Sequence, residues 1–210
     1  MESPLDFGEA VDVLSKADPL LGKMIDRVGP ITLPLKRFQS PFRYLTEAIT
    51  HQQLNGKAAA TIFGRFTALF EGKRFPTPED VLATSDEALR SAGLSRSKSA
   101  AIRDLAEKVL DGSVPSATRL KRMSDDEIIK RLTEVRGIGP WTAQMLLIFA
   151  LGRPDVLPVT DYGVQSGFRI VYGLEEHPTP NMIMEQGELW RPWRTVASLS
   201  LWRAVDSLQK

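Results

Sequence analysis

The sequence predicts an all-α protein, and three observations support that prediction. Apolar residues recur at helical spacing along most of the 210-residue chain. Many of these runs begin at a serine, threonine or aspartate, which is how helices commonly start. Alternating strand patterns longer than about four residues are missing. With 42% hydrophobic residues, the chain has enough apolar material for one large domain or two small lobes.

The helices of the first half follow from this spacing. The run over residues 7–28 is broken in two at Asp18-Pro19, because proline interrupts a helix. Residues 31–40 are expected to be extended or looped, since Pro34 disfavours a helix there. Further helices are predicted over residues 41–50 and 57–70, and from starts at Thr77, Ser85 and Ser97.

In the second half, Ser124 and Glu127 have the spacing of a capping box, in which each side chain bonds the other residue's backbone amide. Later helices are predicted from Pro140, from Thr160-Asp161 to Tyr172, and over residues 193–207. No repeat or Gly/Ser linker marks a domain edge, so the loops at 29–40 and 151–160 are the candidate lobe boundaries.

Composition limits the possible functions. The net charge is only +1, whereas a protein that holds nucleic acid by charge alone would be more basic. The chain has no cysteine, which excludes disulfides, thiolate zinc sites and a cysteine-ligated iron–sulfur cluster. Its two histidines, His51 and His177, do not favour a histidine-based metal site. Without an apolar run of membrane length or a secretory signal, an intracellular protein with no membrane partner is expected.

The most informative stretch runs from Leu132 to Ala143 and reads Leu-Thr-Glu-Val-Arg-Gly-Ile-Gly-Pro-Trp-Thr-Ala. Gly137 and Gly139 allow a tight turn and place bare amides at the start of the helix that Pro140 opens. Such amides form an anion site. The two glycines alone fit a plain helix–helix corner equally well. The full string resembles the helix-hairpin-helix motif of DNA repair proteins, in which hairpin amides grip a backbone phosphate.

A single carboxylate, Asp161, comes twenty residues after Trp141. Taken alone, it would be a helix cap. Together, the hairpin, the Gly/Pro loop and the lone aspartate resemble the helix-hairpin-helix (HhH-GPD) DNA glycosylase superfamily. Three further segments are similar to its 3-methyladenine DNA glycosylase II branch, and the similarity covers roughly residues 40–205; these segments are residues 48–59, 92–99 and 190–202.

This resemblance implies two helical lobes with a DNA-binding cleft between them. One lobe would combine residues 1–40 with 156–210, and the other would span residues 41–155 and carry the hairpin at about 128–150. The chain resembles the compact form without an extra N-terminal β domain. We expect a monomer that binds double-stranded DNA containing damaged bases, in the bacterial nucleoid or the eukaryotic nucleus.

The resemblance also implies the chemistry. Asp161 would stabilise the positive charge that develops on the deoxyribose and would activate the attacking water. Trp141, Trp202 and Tyr162 would form the base pocket, with Trp202 across from Asp161. Some superfamily members carry a Schiff-base lysine at the position of Trp141, so tryptophan implies a monofunctional enzyme that leaves an abasic site. From the residues alone, Trp141 fits the core as well as a pocket, whereas Trp202 and Tyr162 fit the core better. Trp190 and Trp193 are expected in the core.

An electron-rich pocket favours a cationic alkylated base such as 3-methyladenine or 7-methylguanine. Deaminated or oxidised bases remain an alternative substrate class. A hairpin module that binds DNA without catalysis remains a second alternative.

The wedge position of the family, which fills the gap left by a flipped base, falls on Leu54 with Gln53 beside it. The alternative for Leu54 is an ordinary buried leucine at a helix end. The expected phosphate contacts are the amides of Gly137 and Gly139, helped by Thr142. Lys57, Arg96 and Lys98 are further candidates, or plain surface charges.

In the family, backbone carbonyls of the hairpin hold a monovalent cation. The matching positions are Thr133, Val135 and Ile138, which would bind Na⁺ or K⁺. No other cofactor is expected.

Overall fold

The computed structural model describes residues 5–33, 35, 38 and 40–208. In this part of the chain, the secondary structure is almost entirely helical, which confirms the all-α prediction. The α-helices are α1 (Gly8–Ala17), α2 (Pro19–Val28), α3 (Pro41–His51), α4 (Gly56–Ala68), α5 (Pro78–Ala83), α6 (Asp86–Ser91), α7 (Arg96–Leu110), α8 (Ala117–Leu120), α9 (Asp125–Leu132), α10 (Pro140–Phe149), α11 (Tyr162–Tyr172), α12 (Pro180–Gly187) and α13 (Arg194–Ser207).

Short elements complete the fold. A 3-10 helix covers Glu188–Trp190, and strand β1 (Leu5–Asp6) pairs antiparallel with β2 (Thr32–Leu33). Residue 34, on which the loop prediction for residues 31–40 partly rested, lies outside the described residues. Among the helices that the structure describes, none is both long and apolar enough to cross a membrane.

The chain divides into two compact units. Unit 1 comprises residues 1–37 and 144–210, and unit 2 comprises residues 38–143. The second division falls within α10 and not in the loop at 151–160 that the sequence suggested. Residues 141–149 of α10 contain no proline or glycine that would mark this division in the sequence.

In unit 1, helix α11 packs closely against α13. Gly167 makes this possible, because a Cβ atom there would overlap the backbone carbonyl of Leu201. Val164 and Phe168 of α11 and Val196 and Leu201 of α13 are buried in the same core. This packing fixes the start of α11, where Asp161 lies, relative to α13, which carries Trp202.

A buried carboxylate ties together the other elements of unit 1. Asp18 caps α2, as the break at Asp18-Pro19 predicted, and its Oδ1 accepts hydrogen bonds from the amides of Leu20 and Leu21. Its Oδ2 accepts from the hydroxyl of Tyr172 and, at 2.9 Å each, from Gln186 and Trp190. Burial works to raise the pKa of Asp18, but these hydrogen bonds outweigh burial and hold the pKa below its ordinary value.

Unit 2 is built around α7, whose buried face carries Ile102 and Leu105, and around an aromatic cluster. In that cluster the ring centroid of Phe66 lies 6.2 Å from that of Phe75, which in turn lies 5.9 Å from Phe42. Together they bury the apolar faces of α3 and α4. This core supports the three segments of unit 2 that carry its predicted DNA-binding residues, the end of α3, the start of α7 and the hairpin.

Several helix starts in unit 2 agree with the sequence, but the start of α7 and the capping box at α9 do not. Thr77 and Ser85 cap α5 and α6 as predicted. Helix α7 begins after Ser95 and not at Ser97, because Ser95 is the residue whose hydroxyl accepts the capping amide. Ser124 caps α9, but the Glu127 carboxylate bonds Arg131 and does not complete the predicted capping box.

Candidate functional site

The hairpin joins α9 to α10 through residues 133–139. The amide of Val135 donates to Leu132, and the amide of Ile138 donates to the carbonyl of Val135 at 3.0 Å, so the turn closes on itself. Gly137 has a φ of 76°, and a Cβ atom there would lie 3.3 Å from the Cβ of Ala101. Both its conformation and its close approach to α7 therefore require glycine.

A carboxylate fixes the hairpin to α7. Asp104 accepts a hydrogen bond from the backbone amide of Arg136 at 2.7 Å and pairs with Lys108 at 2.6 Å. Partial burial works to raise the pKa of Asp104, but the bonds from Lys108 and from the Arg136 amide outweigh it and lower the pKa. The ionised side chain of Asp104 therefore anchors the hairpin to α7.

The predicted phosphate-binding residues differ in exposure. Gly139 has open space on the side where a Cβ would point, so the backbone there can be approached closely. Thr142, in contrast, is only 4% exposed, so its hydroxyl is not a surface group. The predicted contact between the Thr142 side chain and a phosphate therefore has no support in this arrangement.

The carbonyls predicted to hold a monovalent cation belong to the end of α9 and to the turn. Thr133 is the C-cap of α9, and Val135 and Ile138 follow within the turn. Carbonyls beyond a helix end lack the amide donors of the next helical turn and are open to other partners. The oxygen of Val135 already accepts one amide, and a carbonyl has two lone pairs. The donor set fits Na⁺ or K⁺.

The predicted wedge lies in a tight turn between α3 and α4. Gln53 adopts a left-handed conformation, with a φ of 57°, and the amide of Leu54 donates to the carbonyl of His51 at 3.3 Å. Leu54 is 39% exposed. The alternative interpretation of Leu54 as a buried leucine is therefore wrong.

Two side chains hold this turn. The ammonium group of Lys98 donates to the carbonyls of Thr50 at 2.7 Å and Gln52 at 2.8 Å. The side-chain amide of Gln52 donates to the carbonyl of Gly137 in the hairpin, also at 2.8 Å. Because the Lys98 ammonium bonds the protein's own backbone, the alternative of a plain surface charge is wrong for Lys98, and the predicted phosphate contact has no support in this arrangement.

In unit 1, Asp161 is the N-cap of α11, as predicted. Its Oδ1 accepts hydrogen bonds from the amide of Val164 at 2.8 Å and from the indole nitrogen of Trp202 at 2.7 Å. The Trp202 ring also stacks on Phe149, with ring centroids 5.9 Å apart. The structure therefore brings Trp202 into direct contact with Asp161 and does not leave it across a gap.

Gly163 makes room for this arrangement. A Cβ atom at Gly163 would lie 2.6 Å from Cδ1 of Trp202 and 3.1 Å from Oδ1 of Asp161. Such distances are too short for any side chain. Only glycine two residues after Asp161 lets the indole lie against the start of α11.

The other predicted pocket aromatics are exposed. Tyr162 is 74% exposed and stacks on His177, with ring centroids 5.2 Å apart. Trp141, which belongs to unit 2, is 45% exposed, so core filling is the wrong interpretation for both residues. Trp190 is buried as predicted, whereas Trp193 is only half-buried.

Sequence reasoning missed Asp104 beside the hairpin, and it also missed Gln52, Phe149, Gly163 and His177. Gln52 and Gly163 stand directly beside motif residues, and this adjacency was the available signal. Phe149 and His177 are distant in sequence from the rings they touch, and no local pattern marks them.

The arrangement in unit 1 suits electrostatic catalysis. A half-exposed carboxylate, oriented by two donors to one oxygen, can stabilise a positive charge and can direct a water molecule. The aromatic rings beside it can stack on a planar, cationic group. Among the described residues, no group of three or more His, Asp or Glu side chains is arranged to hold a metal ion.

The chain matches the family model described as HhH-GPD superfamily base excision DNA repair protein over residues 46–192. It is 38% identical over 165 residues to DNA-3-methyladenine glycosylase 1 of Schizosaccharomyces pombe, covering 79% of this chain and 72% of that protein. It is 31% identical over 204 residues to the alkylbase DNA glycosidase-like protein mag2 of the same organism, covering 97% and 96%.

Two solved structures are similar over nearly their whole length. The DNA-3-methyladenine glycosidase of Bacillus halodurans superposes with a TM-score of 0.88 at 37% identity, covering 99% of this chain and 94% of that chain. The 3-methyladenine DNA glycosylase of S. pombe, solved in complex with abasic DNA, gives 0.83 at 35% identity, covering 92% and 95%.

Proposed function

Because the chain belongs to the HhH-GPD superfamily of base excision DNA repair proteins, we propose that it is a DNA glycosylase that removes alkylated bases from double-stranded DNA. The bases are of the 3-methyladenine and 7-methylguanine type. The observation that carries the proposal is the Asp161 carboxylate at the start of α11, oriented by Trp202 and Val164.

The reaction requires little more than this carboxylate. When the glycosidic bond breaks, its electrons leave with the base and positive charge builds on the deoxyribose. Asp161 stabilises that charge, and water adds to C1′ as Asp161 accepts its proton. A purine methylated at N3 or N7 is already cationic and leaves as a neutral base, so no general acid is needed. Because two donors already hold the carboxylate, it need not reorient during the reaction.

Aromatic rings select the substrate. Trp202 contacts the carboxylate directly, and Tyr162 follows it in the chain with most of its ring exposed. A cation over an aromatic face gains about 0.5–2 kcal/mol, and a neutral base gains less. We therefore assign the preference for alkylated over normal purines to these two rings.

The enzyme is monofunctional in this proposal. Trp141 carries no amine that could form a Schiff base with the sugar. Water is then the nucleophile, and the product is an abasic site in an uncut strand.

DNA is held by the elements of unit 2. The amides of Gly137 and Gly139 bind a backbone phosphate, and open space at Gly139 lets the phosphate approach. Leu54, exposed at the tip of its turn, enters the base stack when the damaged nucleotide is extruded, with Gln53 facing the opposite strand. The backbone carbonyls of Thr133, Val135 and Ile138 would hold a monovalent cation, which would supply positive charge at the hairpin. The protein acts as a monomer in this proposal.

The test is release of free bases from DNA treated with a methylating agent, with the products identified by mass. The wild-type protein should release 3-methyladenine and 7-methylguanine and leave the strand uncut until alkali is added. Asp161→Asn should release neither. Faster release of uracil or 8-oxoguanine would contradict the substrate assignment, and strand cleavage without alkali would contradict the monofunctional mechanism.

A further inference from the structure

The end of α3 receives hydrogen-bond donors that its own helix cannot supply. The last carbonyls of a helix lack amide partners, and here Lys98 bonds two of them, those of Thr50 and Gln52. Partial burial lowers the pKa of Lys98, so the ammonium group is held against these oxygens at the expense of its hydration. Lys98 belongs to the first turn of α7, so α7 and the end of α3 are locked together.

The same helix supports the hairpin. Lys98, Ala101 and Asp104 follow one another at three-residue spacing along α7, and such positions neighbour each other on a helix surface. Ala101 lies against Gly137, and Asp104 binds the amide of Arg136. Gln52 then joins the wedge turn to the hairpin directly, through the carbonyl of Gly137. The wedge turn and the hairpin thus share one rigid support.

The turn that this support holds is strained. A residue with a Cβ seldom adopts the left-handed conformation found at Gln53, and it persists only where the surroundings impose it. Gln52 is bonded through both its carbonyl and its side chain immediately before Gln53, and Leu54 immediately after it is exposed. The bonds of Lys98 and Gln52 are therefore placed to impose the conformation that presents Leu54.

We infer that Lys98 and Gln52 are positioning residues that set the Leu54 wedge in register with the phosphate held by the hairpin. This inference rests on the proposed function, because it assigns a role in base extrusion. A wedge held in this way enters the base stack without first ordering its loop. Lys98 contributes through the backbone of the wedge turn and does not itself contact DNA.

The first experiment is a double-mutant cycle on single-turnover release of 7-methylguanine. Lys98→Met should slow release about tenfold, since small misplacements of a positioned group cost factors of this order or larger. In the Leu54→Ala background the same change should slow release less than about twofold, because the wedge is already gone. Lys98→Arg, which can still donate to two carbonyls, should recover most of the rate.

The matched control is Lys73→Met. Lys73 belongs to the same unit and is also engaged, through an ion pair with Asp80 at 2.6 Å. Its loss should leave the rate of release unchanged. Equal slowing by Lys98→Met with and without Leu54 would overturn the inference, and so would an unchanged rate in Lys98→Met itself.

A second experiment measures the insertion of Leu54 into the base stack in the absence of catalysis. A duplex with a tetrahydrofuran abasic-site analogue and an adjacent 2-aminopurine should brighten when the wild-type protein binds, because the wedge unstacks the reporter. Lys98→Met should bind the duplex within about twofold of wild type, since it removes no phosphate contact, yet give a smaller fluorescence change. A full fluorescence change would contradict the positioning role. A wild-type protein that releases no base would refute the proposed function. The fluorescence comparison would still test whether Lys98 positions the Leu54 wedge.

Should Lys98→Met fail to fold, as judged by its melting curve, Gln52→Leu replaces it. That change keeps a side chain of similar size and removes the amide group that donates to Gly137. The same reduced fluorescence change at unchanged affinity is expected, and its absence would refute the inference.

Discussion

Two aspartates in unit 1 cap helices in the same way, but they differ in burial and in the side chains that bond their carboxylates. Asp18 caps α2 and Asp161 caps α11, each through an oxygen that accepts backbone amides. Asp18 is 3% exposed, and its other oxygen accepts three side-chain donors. Asp161 is half-exposed and shares its capping oxygen with the indole of Trp202.

The difference shows how one local signal serves two purposes. A buried carboxylate surrounded by donors stabilises the fold, because its charge is fully compensated by neighbouring groups. A carboxylate that is oriented but still exposed can act on a bound molecule. Removing each charge separately should therefore affect either activity or stability, but not both.

Asp161→Asn should have the larger consequence, and it should fall on activity alone. We expect base release to drop by about a thousandfold or more, or about 4 kcal/mol of transition-state stabilisation, because the charge facing the sugar is lost. Asparagine caps a helix as well as aspartate does, so the melting temperature should hardly change. Single-turnover release and thermal melting together test this, and near-normal release would refute the role of Asp161.

Asp18→Asn should show the reverse pattern. Asparagine removes the charge and places an amide nitrogen among these partners, of which the Trp190 indole can only donate. We therefore expect a loss of about 3 kcal/mol in the free energy of unfolding. Release per folded molecule, measured well below the melting temperature, should stay at the wild-type value. Denaturant titration measures the loss, and a stable variant with impaired release would contradict the structural role.

The pH dependence of stability sharpens the contrast. Because the folded pKa of Asp18 is lowered, its contribution is present above the unfolded pKa, which is about 3.9 for aspartate. That contribution is lost as the pH falls through the folded value. The wild-type melting temperature should therefore drop at acid pH by more than that of Asp18→Asn, and parallel curves for the two proteins would argue against the assignment.

Gly163→Ala tests how the exposed carboxylate is oriented. The added methyl group would collide with the Trp202 ring, so the indole must move away from Asp161. We expect overpacking to destabilise the protein by about 1–3 kcal/mol. Release should fall with it, and Gly56→Ala, where a Cβ meets open space, is the matched control. Unchanged tryptophan fluorescence and unchanged release would show that the contact is unimportant.

Trp202→Phe is the mildest change. It keeps an aromatic ring beside Phe149 but removes the donor to Asp161. Loss of one hydrogen bond to a charged group costs about 1.5–3 kcal/mol when the partner is left unpaired, and less where water replaces it. Because Asp161 is half-exposed, we expect a decrease of about 3–10-fold in release, with substrate binding largely retained. A decrease as large as that of Asp161→Asn would mean that the indole of Trp202 contributes more to base release than its one hydrogen bond to Asp161.

Most helices could be predicted because their signals are local. Thr77 precedes a proline and caps α5 as predicted, and Asp18-Pro19 divides α1 from α2. Thr179 carries the same signal before Pro180, but the sequence analysis did not identify α12. The start of α7 was misplaced by two residues because Ser95 and Ser97 are equally good caps by type. The predicted capping box at Glu127 was wrong, because the Glu127 carboxylate bonds Arg131, one turn later, and not the backbone amide of Ser124.

Only part of the candidate site could be predicted, again because only local signals are visible in the sequence. Asp161 and the two hairpin glycines belong to recognisable motifs, and they were predicted as site residues from the sequence. The role of Lys98 was not found, since its partners Thr50 and Gln52 lie more than forty positions earlier in the chain. The burial of Thr142 was also missed, because a polar residue in a binding motif is expected at the surface.

Apolar spacing, capping residues and the hairpin string were thus sufficient to establish a helical protein of this superfamily and its acidic residue. These features act through neighbours a few positions apart, where backbone geometry leaves few choices. Whether an aspartate is buried or exposed, and which oxygen a lysine or an indole reaches, depends on helices distant in sequence that meet only after folding. Burial and long-range hydrogen bonds therefore had to be observed.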